Sequence, residues 1–139
     1  MTQDYGYVLE VDLSTEKIDR YHLDSGIIRD FLGGVGVVAR IYWDKVPPDI
    51  KVFDEENVLI FATGPLTASG APGTGRAIVV GNSPQSHPER YTVSSFGGEW
   101  GAELRLAGYD ILVIRCKAKK PVYLWIKDEE VEIRDASHL

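Results

Sequence analysis

Apolar and polar residues alternate near both ends of the chain. Residues 5–13 and 18–23 alternate on either side of a short polar turn, and this pattern predicts a β-hairpin. A second hairpin is predicted at the other end, where residues 121–126 and 131–134 flank the acidic turn of residues 127–130. Apolar runs predict four further strands, at residues 58–63, 76–81, 91–95 and 109–116.

Three segments have the apolar spacing of helices instead: residues 27–32, 35–45 and 98–107. Asp24 or Ser25 is expected to cap the first helix, and Gly108 the end of the third. We interpret Gly33 and Gly34, between the first two helices, as a break that lets another part of the backbone pack closely. The whole pattern predicts an α+β fold: a β-rich single domain of hairpins and mixed sheets with two or three helices.

A glycine-rich segment, GPLTASGAPGTGR at residues 64–76, joins two of the predicted strands. A loop of this length is costly to order, and compact domains seldom keep one without a use. Glycines let backbone N–H groups approach a ligand, and the guanidinium of Arg76 can hold an anion or a planar ring. We therefore expect a bulky, polar, phosphate-bearing ligand, with a long surface turn as the alternative. The segment matches neither a dinucleotide fingerprint nor a P-loop.

A second glycine segment, SSFGG at residues 94–98, connects a predicted strand to the third helix. Free N–H groups at the start of a helix favour anions, so these residues are a second candidate for ligand contact. The alternative is a plain turn with a serine cap. The pattern does not indicate metal ligation by side chains, since Cys116 stands alone and His22, His87 and His138 are scattered.

Composition and charge narrow the classes of function. The chain has 139 residues, of which 44% are hydrophobic and 26% charged, and this fits one globular domain over residues 1–139. Its net charge of −6 at pH 7 argues against a nucleic-acid partner. The single cysteine excludes an internal disulfide framework, and neither a signal peptide nor a membrane-spanning run is visible. We therefore expect a cytoplasmic protein without a nucleic-acid or membrane partner.

Several motifs, in order along almost the whole chain, resemble the N-terminal domain of the aldehyde ferredoxin oxidoreductases. They are YVLEVDLS, FLGG, GPLTASGAPGTGR, NSP, GGEWGAEL, AGYD and EIRDASH. The resemblance implies an enzyme that holds tungsten, or molybdenum in some relatives, between two molybdopterin molecules beside a 4Fe-4S cluster. Such enzymes oxidise aldehydes to carboxylic acids and pass the electrons to ferredoxin. The resemblance also implies that this domain is the base of the bis-pterin site.

The resemblance assigns roles to both glycine segments. Arg76 matches an arginine that lies between the pterin and the cluster, and its two neighbours approach the pterin through backbone atoms. Residues 95–98 match a segment that contacts the pterin phosphates, and the Ser95 carbonyl matches one that binds a magnesium ion bridging them. No catalytic residue is implied within the chain. The implied cofactor-binding residues are Gly75, Arg76, Ala77, Ser95, Phe96, Gly97 and Gly98.

Two departures from the family pattern leave the substrate open. The chain has Ser95 and Phe96 where the aldehyde enzymes commonly have Asn-Ser, a change that keeps a backbone contact but not a side-chain contact. Residues 41–48, IYWDKVPP, look more like the tungsten subunit of the ATP-independent benzoyl-CoA reductases, a branch of the same superfamily. The expected substrate is therefore either an aldehyde or an aromatic acyl-CoA.

Cys116 alone cannot supply the four thiolates of a 4Fe-4S cluster. The cluster is therefore expected on residues outside this chain, which we interpret as a fragment or one subunit of a larger enzyme. Expected partners are the remaining domains or subunits, ferredoxin or another electron carrier, and a second copy in a homodimer. Two rival hypotheses are a non-catalytic scaffold or cofactor-delivery protein and an unrelated small-ligand binding module.

Overall fold

A six-stranded mixed sheet lies at the centre of the computed structural model, which describes residues 4–139. Its order is β2-β1-β6-β3-β4-β5; β1 and β6 run parallel, and the other neighbours are antiparallel. β7 and β8 form a separate hairpin. The architecture confirms the predicted α+β fold. In chain order the elements are β1 (Tyr7–Asp12), β2 (Lys17–His22), α1 (Ser25–Phe31), α2 (Val35–Lys45), β3 (Val58–Ala62), β4 (Ala77–Ser83), β5 (Arg90–Phe96), α3 (Trp100–Leu106), β6 (Ile111–Arg115), β7 (Val122–Lys127) and β8 (Glu130–Asp135).

The two faces of the large sheet are covered by different elements, because successive residues of a strand point to opposite sides. On one face, α2 packs through Val37, Val38 and Ile41 against buried side chains of β1, β3 and β6. On the other face, Leu104 of α3 and the apolar side of the β7–β8 hairpin cover Leu9 and its neighbours. None of the helices among the described residues is long and apolar enough to cross a membrane.

The first two helices lie where the sequence predicts them. α2 begins at Val35 and ends at Lys45, as predicted. The side chain of Asp24 caps α1 by accepting a hydrogen bond of 2.8 Å from the Gly26 N–H. An N-terminal cap of this kind satisfies a backbone donor that the helix cannot satisfy itself.

The prediction for α3 is wrong at its start and correct at its end to within one residue. The helix starts at Trp100, two residues late, because β5 continues pairing with β4 as far as Phe96. At the other end, Gly108 follows the cap residue Ala107 and terminates the helix, as predicted: it has a φ of 98° that a side chain would strain, and its N–H donates a hydrogen bond of 3.0 Å to the Arg105 carbonyl. Residues 94–96 are therefore part of the sheet and do not form a turn into the helix.

The break between α1 and α2 allows close packing, as predicted. Gly33 has a φ of 138°, and a Cβ there would lie 2.7 Å from the Pro65 side chain. A Cβ on Gly36 would lie 2.3 Å from the carbonyl oxygen of Phe31. Since both distances are too short for real contacts, only glycine lets the start of the glycine-rich loop and the end of α1 approach this break.

A buried carboxylate ties the last turn of α2 to the sheet. Glu10, in the middle of β1, accepts hydrogen bonds from Lys45 at 2.8 Å, from the Tyr21 hydroxyl at 2.9 Å and from Arg115 at 3.1 Å. Burial alone would raise the pKa of Glu10, but these three donors outweigh burial and hold that pKa below its usual value. Because the folded state favours the ionised form, Glu10 links stability to pH.

We expect Glu10→Gln to lower the free energy of unfolding at pH 7 by roughly 2 kcal/mol, since Lys45 and Arg115 lose the negative charge that pairs with them. Glu10 stabilises the wild type above its unfolded pKa of about 4.5, and this contribution is lost as the pH falls through the lower folded pKa. Urea unfolding at pH 7 and at pH 4 measures both effects: the variant should lose less stability between the two pH values than the wild type. Glu55→Gln, at an exposed position, is the control. If the wild type and Glu10→Gln lost equal stability between pH 7 and pH 4, Glu10 would not link stability to pH.

Candidate functional site

The structure brings the two glycine segments together at one end of the large sheet. They are about 20 residues apart in sequence, but they meet because β4 and β5 are antiparallel neighbours. Arg76, directly before β4, donates a hydrogen bond of 2.9 Å from its guanidinium to the Ser95 hydroxyl. A Cβ on Gly75 would lie 3.7 Å from the carbonyl oxygen of Gly98. Residues 64–76 and 95–98 thus meet at one surface, which we call the loop-end site.

Ser95 and Phe96 contribute to this surface in different ways, because adjacent strand residues point to opposite faces. The Ser95 side chain is on the face of Arg76. The Phe96 side chain is on the other face, with its ring centroid 6.3 Å from that of Phe61 and 5.3 Å from that of Trp100. Only the backbone of Phe96 is therefore at the loop-end site, while its ring helps to hold α3 against the sheet.

α3 approaches the loop-end site closely at Gly101. A Cβ on Gly101 would lie 3.2 Å from the Cβ of Ala77 and 3.5 Å from the carbonyl oxygen of Gly75. Ala77 itself is buried. The backbone on both sides of Arg76 is therefore fixed by packing against α3, although the Arg76 side chain is exposed.

The glycine-rich loop is held by a buried threonine that the sequence analysis missed. The side chain of Thr67 is 1% exposed; its hydroxyl accepts a bond of 3.1 Å from the Gly64 N–H and donates one of 3.0 Å to the Thr74 carbonyl. These two bonds join the beginning of the loop to its end. Threonine hydroxyls commonly bond to nearby backbone groups, so Thr67 carried a weak local signal. The loop thus supplies part of its own order.

Tyr5 anchors the start of the same loop. Its hydroxyl donates a hydrogen bond of 2.8 Å to the Thr63 carbonyl and accepts one of 3.0 Å from the Gly34 N–H. Burial is the main cause that raises the pKa of Tyr5 to about 12, so the hydroxyl keeps its proton at neutral pH. The N-terminal segment, the break between the first two helices and the loop therefore meet at one side chain.

A buried ion pair next to Tyr5 is a further feature that sequence reasoning missed. The Asp110 carboxylate accepts hydrogen bonds from the N–H groups of Gly6 at 2.7 Å and Tyr7 at 3.0 Å, and it pairs with Arg105. The Arg105 side chain is 9% exposed, although the apolar spacing that predicted the helix does not include it. Burial raises the pKa of Asp110, and the backbone donors and Arg105 oppose that shift.

The electrostatics of the loop-end site favour an anion. Among residues 4–139, Arg76 has no carboxylate within ion-pairing distance, and its hydrogen bond goes to a neutral hydroxyl. Open space lies beside several glycines of the site, where an added Cβ would meet nothing within 4 Å: Gly70, Gly73, Gly97 and Gly98. A cation beside uncovered backbone can hold a charged, extended ligand.

Side chains that bind metal ions are not grouped at this surface. Within the described part of the chain, no three His, Cys, Asp or Glu residues are arranged to hold a metal ion. Cys116 directly follows β6 and is half-buried. Its Sγ lies 3.6 Å from a carboxylate oxygen of Asp12.

Thr67→Val should lower the free energy of unfolding by about 1–3 kcal/mol, because two buried backbone groups lose their partner while the shape is kept. Thr67→Ser keeps the hydroxyl and should restore most of that loss. Urea unfolding gives the free energies, and limited proteolysis within residues 64–76 reports on the loop itself. Ser69→Ala is the matched control, since the Ser69 hydroxyl bonds to the Leu66 carbonyl at an exposed position where water can replace it. A Thr67→Val variant as stable as the wild type would disprove the role of Thr67.

Fold and site together define an α+β domain that offers a cationic, glycine-rich cradle at one end of a mixed sheet. Comparison with known proteins identifies the family. Residues 8–139 match the family model described as "Aldehyde ferredoxin oxidoreductase, N-terminal domain". The chain therefore belongs to the aldehyde ferredoxin oxidoreductase family, and the resemblance stated from its motifs is confirmed.

Relatives share more than two fifths of the sequence. The chain is 42% identical over 139 residues to a tungsten-containing aldehyde ferredoxin oxidoreductase of Pyrococcus furiosus, covering all of this chain and 23% of the relative. It is also 42% identical over 135 residues to the WOR-like subunit of an aliphatic sulfonate oxidoreductase of the same organism. That match covers 95% of this chain and 21% of the relative. The chain thus spans less than a quarter of the length of these two oxidoreductases.

A solved structure shows the same fold. In the active-site complex BamBC of benzoyl coenzyme A reductase with 1,5-dienoyl-CoA, one chain is 47% identical to ours. The TM-score is 0.92, and the match covers 96% of our chain and 20% of the other. At this identity the match supports common ancestry as well as a common fold.

Proposed function

We propose that the chain is the N-terminal cofactor-binding domain of a tungsten oxidoreductase and that the loop-end site holds a bis-molybdopterin cofactor of tungsten or molybdenum. The observation that carries this proposal is Arg76, a cation without a carboxylate partner in the described chain, placed beside uncovered glycine backbone. The tungsten named for the Pyrococcus furiosus relative supports the identity of the metal.

The residues of the site fit such a group. Molybdopterin carries phosphate, and the Arg76 guanidinium offers several N–H donors, with one bonded to Ser95. The backbone of Gly97 and Gly98 is not covered by side chains, so phosphates could approach it. The cofactor would supply the redox chemistry, while Gly75, Arg76 and the residues around them bind and orient it. The Ser95 carbonyl would hold a magnesium ion that accompanies the phosphates, since such ions prefer oxygen ligands.

The rest of the enzyme would be supplied by other domains or subunits, including a 4Fe-4S cluster, and electrons would pass to ferredoxin or another carrier. Large exposed apolar side chains support contact with further protein: Trp43 is 81% and Phe53 89% exposed. A homodimer and a cytoplasmic location belong to the same proposal.

The proposed reaction is oxidation of an aldehyde to a carboxylic acid, as the family name indicates. A second candidate is reduction of an aromatic acyl-CoA, and a specific observation favours it. The benzoyl coenzyme A reductase complex contains a chain that is 47% identical to ours, against 42% for the aldehyde enzyme of Pyrococcus furiosus. Turnover of the purified enzyme with an aldehyde and with an aromatic acyl-CoA separates the two reactions.

We expect Arg76→Ala in the tungsten-loaded enzyme to reduce tungsten per polypeptide, because hydrogen bonds to a charged group are lost. The loss in cofactor affinity should be roughly ten- to hundredfold. Arg76→Lys should restore only part of the lost tungsten, since lysine lacks the planar set of N–H donors of a guanidinium. Elemental mass spectrometry of the purified protein measures the metal.

Arg90→Ala is the matched control for this experiment. Arg90 is also exposed and is at the opposite end of β5, and no carboxylate pairs with it among the described residues. Unchanged tungsten in Arg76→Ala would refute the role of Arg76. A folded wild-type enzyme purified without tungsten or molybdenum would favour a non-catalytic scaffold instead.

A further inference from the structure

The Ser95 hydroxyl is the hydrogen-bond acceptor of the Arg76 guanidinium, and it is uncharged. Several other arginines of this chain pair with carboxylates: Arg29 with Asp30, Arg40 with Asp44, Arg115 with Glu10 and Arg134 with Glu132. A carboxylate orients a guanidinium but also cancels its charge, whereas a hydroxyl orients it and leaves the charge in place.

We propose that Ser95 is a positioning residue that orients the Arg76 guanidinium without neutralising it, so that the loop-end site keeps its preference for an anionic ligand. This inference rests on the proposed function, since it concerns how Arg76 holds the phosphate-bearing cofactor. The proposed function uses only the backbone carbonyl of Ser95, as a magnesium ligand. The inference adds a role for the Ser95 side chain.

The register of the sheet explains why Ser95 can do this. Ser95 lies opposite Ile78, two residues after Arg76, so all three share one face of the β4–β5 pair. Its short side chain comes from a paired strand and has little freedom to move. Arginine is long and flexible, and the Arg76 side chain is exposed, so a fixed acceptor reduces the number of orientations that it samples.

The adjacent serine offers a matched comparison. Ser94 is also exposed, but it lies opposite Val79 and therefore points to the other face of the sheet. A substitution at Ser94 changes the same strand and the same residue type without touching Arg76. Differences between equivalent variants at positions 94 and 95 therefore report on the hydrogen bond and not on the stability of β5.

The test uses the tungsten-loaded enzyme and follows the loss of tungsten during dialysis against inorganic phosphate, which competes as an anion. Ser95→Ala should lose tungsten about three- to tenfold faster than the wild type. Ser95→Thr keeps the hydroxyl and should remain within about twofold of the wild type. Ser95→Asp should pair with Arg76 and lose tungsten faster than Ser95→Ala, by roughly tenfold. Ser94→Ala and Ser94→Asp should match the wild type.

A double-mutant cycle shows whether Ser95 acts through Arg76. In an Arg76→Ala background, Ser95→Ala should cause no additional loss, because the bond is already absent. Circular dichroism and urea unfolding of each variant confirm that the fold is kept, and Ser95→Thr provides the rescue that a purely steric role would not give.

Each outcome separates the two proposals. If Arg76→Ala retains tungsten like the wild type, the proposed function of Arg76 fails. If Arg76→Ala loses tungsten but Ser95→Ala and Ser95→Asp do not, only the positioning role of Ser95 is overturned. Additive effects in the double variant would likewise overturn it, since Ser95 would then act independently of Arg76. Fast loss of tungsten from Ser95→Asp, together with wild-type retention of tungsten in Ser95→Thr, would support the positioning role of Ser95.

Discussion

The parallel pairing of β1 with β6 is the constraint on which the rest of the structure depends. These strands are about a hundred residues apart, and the buried Asp110 carboxylate closes their junction by accepting the Gly6 and Tyr7 N–H groups. With this junction fixed, Tyr5 reaches the Thr63 carbonyl and the Gly34 N–H. One set of buried polar contacts thus connects residues 5–7, the helix break and the glycine-rich loop. A buried polar network of this kind makes a structure rigid when all its members are satisfied.

The loop-end site follows from this framework through the order of the strands. β3 leads into the loop, Thr67 joins the two ends of the loop, and β4 begins directly after Arg76. Because β5 pairs with β4 through Phe96, the second glycine segment ends beside the first. The aromatic side chain of Phe96 then packs on the far side of the sheet, and small residues and Arg76 are left on the face of the loop-end site.

Local sequence signals were enough to predict most of the fold and to single out the residues of the candidate site. The helical period of α2 and the cap of α1 depend on neighbouring residues, so both were predictable. The contacts of Arg105 with Asp110 and of Tyr5 with Thr63 connect distant segments, and no spacing pattern reports them. The end of β5 was predicted one residue early, at residue 95, because pairing with β4, which continues to Phe96, decides where the strand stops. The meeting of Arg76 with Ser95 also required the register, although the family motif had named both residues.

The net charge of the chain and the charge of its site have opposite signs, and this contrast has a physical consequence. With a net charge of −6, the surface as a whole repels anions at long range. Salt screens such repulsion beyond about 8–10 Å, so a bound phosphate would respond mainly to groups in direct contact. At the loop-end site these groups are Arg76 and uncovered backbone, while the nearest partner of the guanidinium is a neutral hydroxyl. An acidic domain can therefore offer a local site that favours an anion, because the short-range contacts outweigh the screened net charge.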